Sequence, residues 1–153
     1  MAPFWSLLIL LVGASYVYSS QMLVPPCRKV EHALTMEQRL EVAPKILHKK
    51  PFQDVPAPVR YRCGLEGKAG QYIYLEEEER RCPSNLICLF YRERAIQGNS
   101  FHQVVNNAMR NWSANFSTME PAYQAGCNYL PTAYDRRFAC FIRPFKGEPE
   151  TDF

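Results

Sequence analysis

An α+β fold stapled by disulfides is what the sequence predicts, on three observations. Six cysteines, Cys27, Cys63, Cys82, Cys88, Cys127 and Cys140, all follow an apolar leader. Phe101, Val104, Val105, Ala108, Met109 and Trp112 recur at steps of three and four, the stripe of an amphipathic helix. Two cysteine-bearing segments rich in aromatic and aliphatic residues, 123–129 and 137–144, read as an antiparallel hairpin turning between Pro131 and Arg137.

The leader, Met1 to Ser20, has an apolar centre over 4–12, then small residues, and no charged side chain before Arg28. It is too short for a membrane span and reads as a secretory signal peptide, residues 1–19, with cleavage after Ser19 and an earlier alternative near Gly13 and Ser15. No second apolar run follows, so the expected product is soluble and extracellular, with no membrane span. Residues 20–145 are the length of one disulfide-rich domain, and the tail 146–153, with Gly147, Pro149 and three acids, is expected to be mobile. In an oxidising compartment an even cysteine count means bridges, and six cysteines allow 15 pairings. Zinc ligation by Cys82 and Cys88 is the competing reading. Their spacing lacks the paired two-residue form of a zinc ribbon. The net charge of +3 comes from bases interspersed with acids, which argues against nucleic acid as a partner.

Pro25 and Pro26 before Cys27 predict an extended arm. A helix is expected from Leu34, with Thr35 and Gln38 as a capping box and a kink or break near Ala43 caused by Pro44. Three prolines between Lys49 and Pro58 mark an irregular connection. Cys63 opens a second helix through Leu65, Ala69, Tyr72, Ile73 and Glu76, with Glu76/Arg80 and Glu77/Arg81 pairs at its end. Four consecutive glutamates point all round a helix, so they are read as a solvated face in preference to a cation site. Cys82 to Asn85 is a turn, and Leu86 to Tyr91 a short apolar run that fits a buried strand. Ser100 caps the Phe101 helix. Asn111-Trp112-Ser113 and Asn115-Phe116-Ser117 are glycosylation sequons. A continuing helix would put Asn115 under the apolar stripe, so its glycosylation requires the helix to end by about that residue.

Several stretches together resemble the CAP superfamily of cysteine-rich secretory, antigen 5 and pathogenesis-related proteins. These are Arg39-Leu40-Glu41-Val42-Ala43, Tyr61-Arg62-Cys63-Gly64-Leu65-Glu66-Gly67-Lys68-Ala69, Ala108-Met109-Arg110-Asn111-Trp112, Ala125-Gly126-Cys127 and Phe138-Ala139-Cys140-Phe141-Ile142-Arg143-Pro144. The chain is most similar to the secreted nematode members, the hookworm ASP-like set. The resemblance implies an α-β-α sandwich around a small antiparallel sheet, with roles such as host modulation or receptor or sterol contact. It also shows departures. The family's H-N-x-x-R-x-x-V-A pattern falls on Thr35 to Ala43, which keeps Arg39 and lacks the His-Asn pair, and Pro83-Ser84-Asn85-Leu86 lacks the glutamate of G-E-N-L. The H-F-T-Q strand motif has no counterpart, since Phe101-His102-Gln103-Val104 precedes the Trp112 match and reads as helix. Many members bind a divalent cation through two histidines and two acids; with His32, His48 and His102 off the family pattern, that site is expected to be absent.

No cofactor is expected. A metalloprotease motif, nucleophile elbow and phosphate loop are all missing, and His102 is read as a helix-surface residue, so enzymatic activity is not the expected role. The expected function is a secreted binding or effector protein with an unidentified extracellular protein or lipid partner. Tyr129, Tyr134, Arg136 and Arg137 are the candidate contact residues, within a wider set that includes Phe138, Phe141 and Arg143. A small protease inhibitor or toxin is the alternative, acting through the loop Thr132 to Arg137.

Overall fold

The computed structural model describes residues 24–146. The leader with its cleavage site, and the tail from 147 onward, lie outside the described residues. In chain order the elements are α1 (Met36–Leu47), β1 (Arg60–Tyr61), α2 (Cys63–Tyr74), β2 (Ile87–Arg94), α3 (Phe101–Asn111), α4 (Ser113–Thr118), β3 (Ala122–Pro131) and β4 (Asp135–Pro144), with 3-10 turns at Lys50–Phe52 and Glu77–Glu79.

The sheet runs β1-β3-β4-β2, with β1 parallel to β3 and the other pairs antiparallel. Strand alternation divides the core. From β4, Phe138, Cys140 and Ile142 point to a larger cluster with Val42 and Ile46 of α1 and Val104, Val105, Ala108 and Met109 of α3. Ala139 and Phe141 point to a smaller one with Leu65, Ala69 and Ile73 of α2. Helices thus cover both faces, the expected α-β-α sandwich. Trp112 stacks on Phe138 at 5.5 Å and donates its indole N–H to the Phe90 carbonyl, fixing the end of α3 to β2. The close approach of α2 to β3 needs Gly126, where a Cβ would meet the Glu66 backbone nitrogen and lie 2.6 Å from the Arg62 carbonyl oxygen.

Both helix caps follow their sequence signatures. Thr35 and Gln38 form a reciprocal capping box on α1, and Ser100 and Gln103 form another on α3. The six cysteines pair as Cys27–Cys63, Cys82–Cys88 and Cys127–Cys140. The last pair lies directly across β3 and β4 and is fully buried.

Four expectations are corrected. Pro44 does not break α1, which runs on to Leu47. Val42, Ala43, Ile46 and Leu47 hold the helix on the core, and the carbonyl that Pro44 leaves without a donor belongs to Leu40, which is exposed to solvent. Helix α2 ends at Tyr74, so the glutamate–arginine pairs lose their helical geometry; Glu77–Glu79 form a 3-10 turn and Arg80 lies over the Phe90 ring at 3.7 Å. The apolar run near Leu86 becomes an edge strand with only Leu89 fully buried along it, because no strand pairs with its outer side. Past Cys27 the arm is not extended: it turns through positive φ at Cys27 and His32, closed by Val30 N–H to the Cys27 carbonyl.

Candidate functional site

A cleft of about 1070 Å³ opens beside β1, where α1, the Pro58 to Leu65 segment and the N-terminal end of α2 come together. Its construction follows from strand alternation. Tyr61 points inward, 2 % exposed, and its hydroxyl donates to the Cys127 carbonyl at 3.0 Å and accepts from the Cys127 N–H at 3.1 Å. Burial, then the negative Glu66, pushes its phenol well above the usual tyrosine range, so it remains a neutral anchor. Its neighbours Arg60 and Arg62 therefore point the other way, to the cleft.

Register then builds a row across three strands. Arg60 of β1 pairs with Gln124 of β3, which pairs with Arg143 of β4. Gln124 is 7 % exposed and lines the cleft, and its Oε1, itself shut off from solvent, accepts no hydrogen bond from the described residues. Lys68, one turn beyond the exposed Gly64 on α2, adds a fourth base, and His48 at the C-cap of α1 faces the same space. Leu40, Pro44, Val59 and Leu65 supply apolar wall, and no Asp or Glu is among the described residues lining it. The N-terminus of α2 opens here without a side-chain cap, its partial positive charge adding to that of the bases. Chemically the cleft suits an anionic, partly apolar ligand.

The candidate contact residues read from the sequence are not one surface. Tyr129 packs edge-on against Phe101 at 5.1 Å, beneath the start of α3. Arg136 turns back to donate to the Thr132 and Asp135 carbonyls. Arg137 lies toward the other face, with Nε 3.2 Å from the Asp135 carboxylate and Nη1 donating to the Ile73 carbonyl at the end of α2. Tyr134, at the hairpin tip, is 85 % exposed. Phe138 and Phe141 are buried on opposite faces of the sheet, and Arg143 belongs to the cleft. Local packing separates these residues: alternation along β4 sends neighbours to opposite sides, and Asp135 draws in the arginines. Burial by itself raises the Asp135 carboxyl, but hydrogen bonds from Thr132 and Arg137 and the charges of Arg137 and Arg92 outweigh it and hold the group below its usual range.

The sequons fare differently. The chain breaks at Trp112 (φ −84°, ψ 0°) and restarts as α4, so Phe116 enters the core while Asn111 and Asn115 are both exposed.

The three histidines do not converge. His32 lies in the turn before α1, His48 caps it, and His102 on α3 bonds Glu41 at 2.7 Å and Asn106 at 2.8 Å. Among the described residues no three His, Cys, Asp or Glu side chains come together to hold a metal ion, so they do not fit the cation of the CAP pattern. A further polar cluster buttresses β2 against α3: Glu93 accepts from Tyr91, Asn99 and Asn107. Burial and that carboxylate push the Tyr91 phenol up to about 12.

Sequence reasoning missed the cleft. The available signal was the alternation Arg60-Tyr61-Arg62, with bases either side of an inward aromatic, but Gln124 and Arg143 enter only through register.

With this geometry established, comparison with known proteins adds the family. Residues 27–142 match the family described as Ancylostoma-associated secreted protein related. The chain belongs to that family. Among solved structures, this ASP-related chain is similar to a manganese-bound hookworm Ac-ASP-7, at 18 % identity and a TM-score of 0.43, covering 86 % of this chain and 76 % of that one. A second, the Ancylostoma-secreted protein Ac-ASP-7, gives 18 % and 0.39, covering 86 % and 77 %. Comparison with curated proteins finds no match.

Proposed function

We propose that this ASP-related chain is a secreted, non-enzymatic binding or effector protein, and that the cleft beside β1 is its recognition surface. The observation that carries the reading is the lining of the cleft, where the exposed bases Arg60 and Lys68 border an apolar wall with no Asp or Glu among the described lining residues. Extracellular release goes with the leader, the three disulfides and the family description. The effector role rests on the resemblance, which makes host extracellular molecules the first partners to test. The inhibitor alternative is weakened because Arg136 and Arg137 fold back and the hairpin tip presents Tyr134. Tyr134 is the one member of the sequence-derived contact set, Tyr129, Tyr134, Arg136 and Arg137, that is fully presented to a partner.

The test is binding of the labelled secreted protein to a panel of host cell surfaces. Saturable binding that falls at least about tenfold in the Arg60→Glu/Lys68→Glu variant is expected, since each reversal turns an attraction into a repulsion. Binding that never saturates, or that the double variant leaves unchanged, would remove the cleft from the function.

A further inference from the structure

We propose that the cleft's ligand is an extended acidic peptide segment of a partner protein, laid along the outer edge of β1; this rests on the binding reading above and gives its ligand a chemistry.

Two independent features select that class. The cleft is lined by the consecutive residues Pro58 to Leu65, of which Arg60 and Tyr61 are the sheet's edge strand, and among the described residues β1 has β3 on one side and no strand on the other. An edge of that kind is where an extended chain adds by main-chain pairing. A peptide brings main-chain donors and acceptors to that edge; a fatty carboxylate is acceptor-only when ionised. Second, the exposed Arg60 and Lys68, with the uncapped start of α2, favour negative charge. A neutral sterol has a hydroxyl donor but no such charge. Acidic side chains alternating with apolar ones along a strand meet the whole set: carboxylates face the bases while apolar groups reach Leu40, Pro44 and Val59.

The experiment is selection of a random octapeptide display library on the intact, disulfide-bonded protein. Recovered sequences are expected to carry two or more Asp or Glu residues interleaved with apolar ones. A synthetic copy of the most frequent peptide should bind saturably and lose at least about tenfold in affinity to Arg60→Glu or Lys68→Glu. Both substitutions are at exposed positions, and circular dichroism of each variant checks that the fold persists. N-methylation of alternate backbone nitrogens of the peptide should weaken binding to a similar degree, a loss that side-chain charge alone does not produce. Lack of enrichment, enrichment without acidic residues, or indifference to the charge reversals would overturn the proposal, as would N-methylated peptide that binds unchanged. Oleate and cholesterol sulfate are run as competitors on the same protein; saturable binding of either in the absence of peptide enrichment assigns the cleft to a lipid and also overturns it. Cell-surface binding that depends on Arg60 and Lys68 while the library yields nothing would leave the binding reading standing and discard only the peptide.

Discussion

Arg39 of α1 and Glu66 of α2 form a two-pronged ion pair that solvent does not reach. The Nε of Arg39 lies 2.8 Å from Oε2 and its Nη2 3.3 Å from Oε1, with the residues 2 % and 0 % exposed. Each partner is further satisfied by backbone: Glu66 Oε1 accepts from the Leu34 N–H, and Arg39 donates to the carbonyls of Leu34 and Pro25. The pair therefore ties both helices to the arm that enters the cleft.

Removing one partner from a buried pair strands the other, at a cost of about 3–5 kcal/mol. Glu66→Gln keeps an acceptor for Leu34 but leaves the guanidinium uncompensated, and is expected to fall in that range by urea denaturation. Adding Arg39→Met removes the stranded charge, so the double variant should be more stable than Glu66→Gln alone. Additive losses across the cycle would show that the two side chains are not coupled.

Two glycines in consecutive packing layers should respond in opposite ways to a methyl group. At Gly126 a Cβ collides with the α2 backbone at Glu66 and Arg62, neither of which is a flexible side chain. Gly126→Ala is expected to cost about 1–3 kcal/mol or more as α2 is pushed off the sheet. At Gly64, within α2, nothing lies within 4 Å of the added carbon, and Ala exceeds Gly in helix propensity by about 1 kcal/mol. Gly64→Ala should raise the melting temperature and Gly126→Ala lower it.

The three disulfides should be unequal. Cys82–Cys88 spans 6 residues in an exposed turn, and loop-closure entropy assigns it about 2 kcal/mol. Cys127–Cys140 spans 13, worth about 3 kcal/mol on the same reckoning, and its sulfurs also fill the larger core cluster, so its loss adds a packing defect. Paired Cys→Ala variants compared by thermal unfolding should therefore rank Cys82/Cys88 as the milder loss.

Where local physics decides, the sequence could be read. The α1 and α3 caps, the Phe101 to Met109 stripe and the 123–144 hairpin each depend on residues within a few positions of one another. Where tertiary contacts decide, the reading failed. Pro44 is tolerated because buried neighbours hold the helix, and the run near Leu86 is half-buried because of its place at the sheet edge. The disulfide pairing, the Arg39–Glu66 bond and the cleft all join residues far apart in sequence; Gln124 is 64 positions from Arg60 yet its neighbour in register. The proposed contact set failed for a related reason. Composition placed Tyr129, Arg136 and Arg137 together, while period-two alternation and the buried Asp135 draw them apart.

The break at Trp112 carries a prediction for the sequons. Asn111 and Asn115 are both exposed, one on either side of a core residue, so neither glycan would displace packing. Expressed through a eukaryotic secretory pathway, the protein is expected to carry two N-linked glycans. Asn111→Gln and Asn115→Gln should each lower the intact mass by one glycan, and enzymatic deglycosylation should leave the melting temperature within about 1–2 °C, as expected of surface groups. A variant whose mass is unchanged apart from the substitution would identify the unoccupied sequon.

Asp135 sets the expected response to acid. Its carboxylate, 4 % exposed, accepts from Thr132 Oγ1 at 2.7 Å and meets Arg92 at 2.6 Å and Arg137 at 3.2 Å, and its pKa in the folded chain lies below the usual value. A carboxyl depressed on folding adds stability above its unfolded pKa of about 3.9 and loses it as pH falls through the lower folded value. Asp135→Asn should then cost about 1–3 kcal/mol at pH 7, where the hydrogen-bonded charge is lost. The gap between wild type and variant should narrow below about pH 4, where the carboxyl of the unfolded chain takes up its proton before the native one does. Denaturation curves at pH 7, 5, 4 and 3 measure that gap directly, and a gap that stays constant down to pH 3 would show that the charge of Asp135 does not hold the hairpin tip.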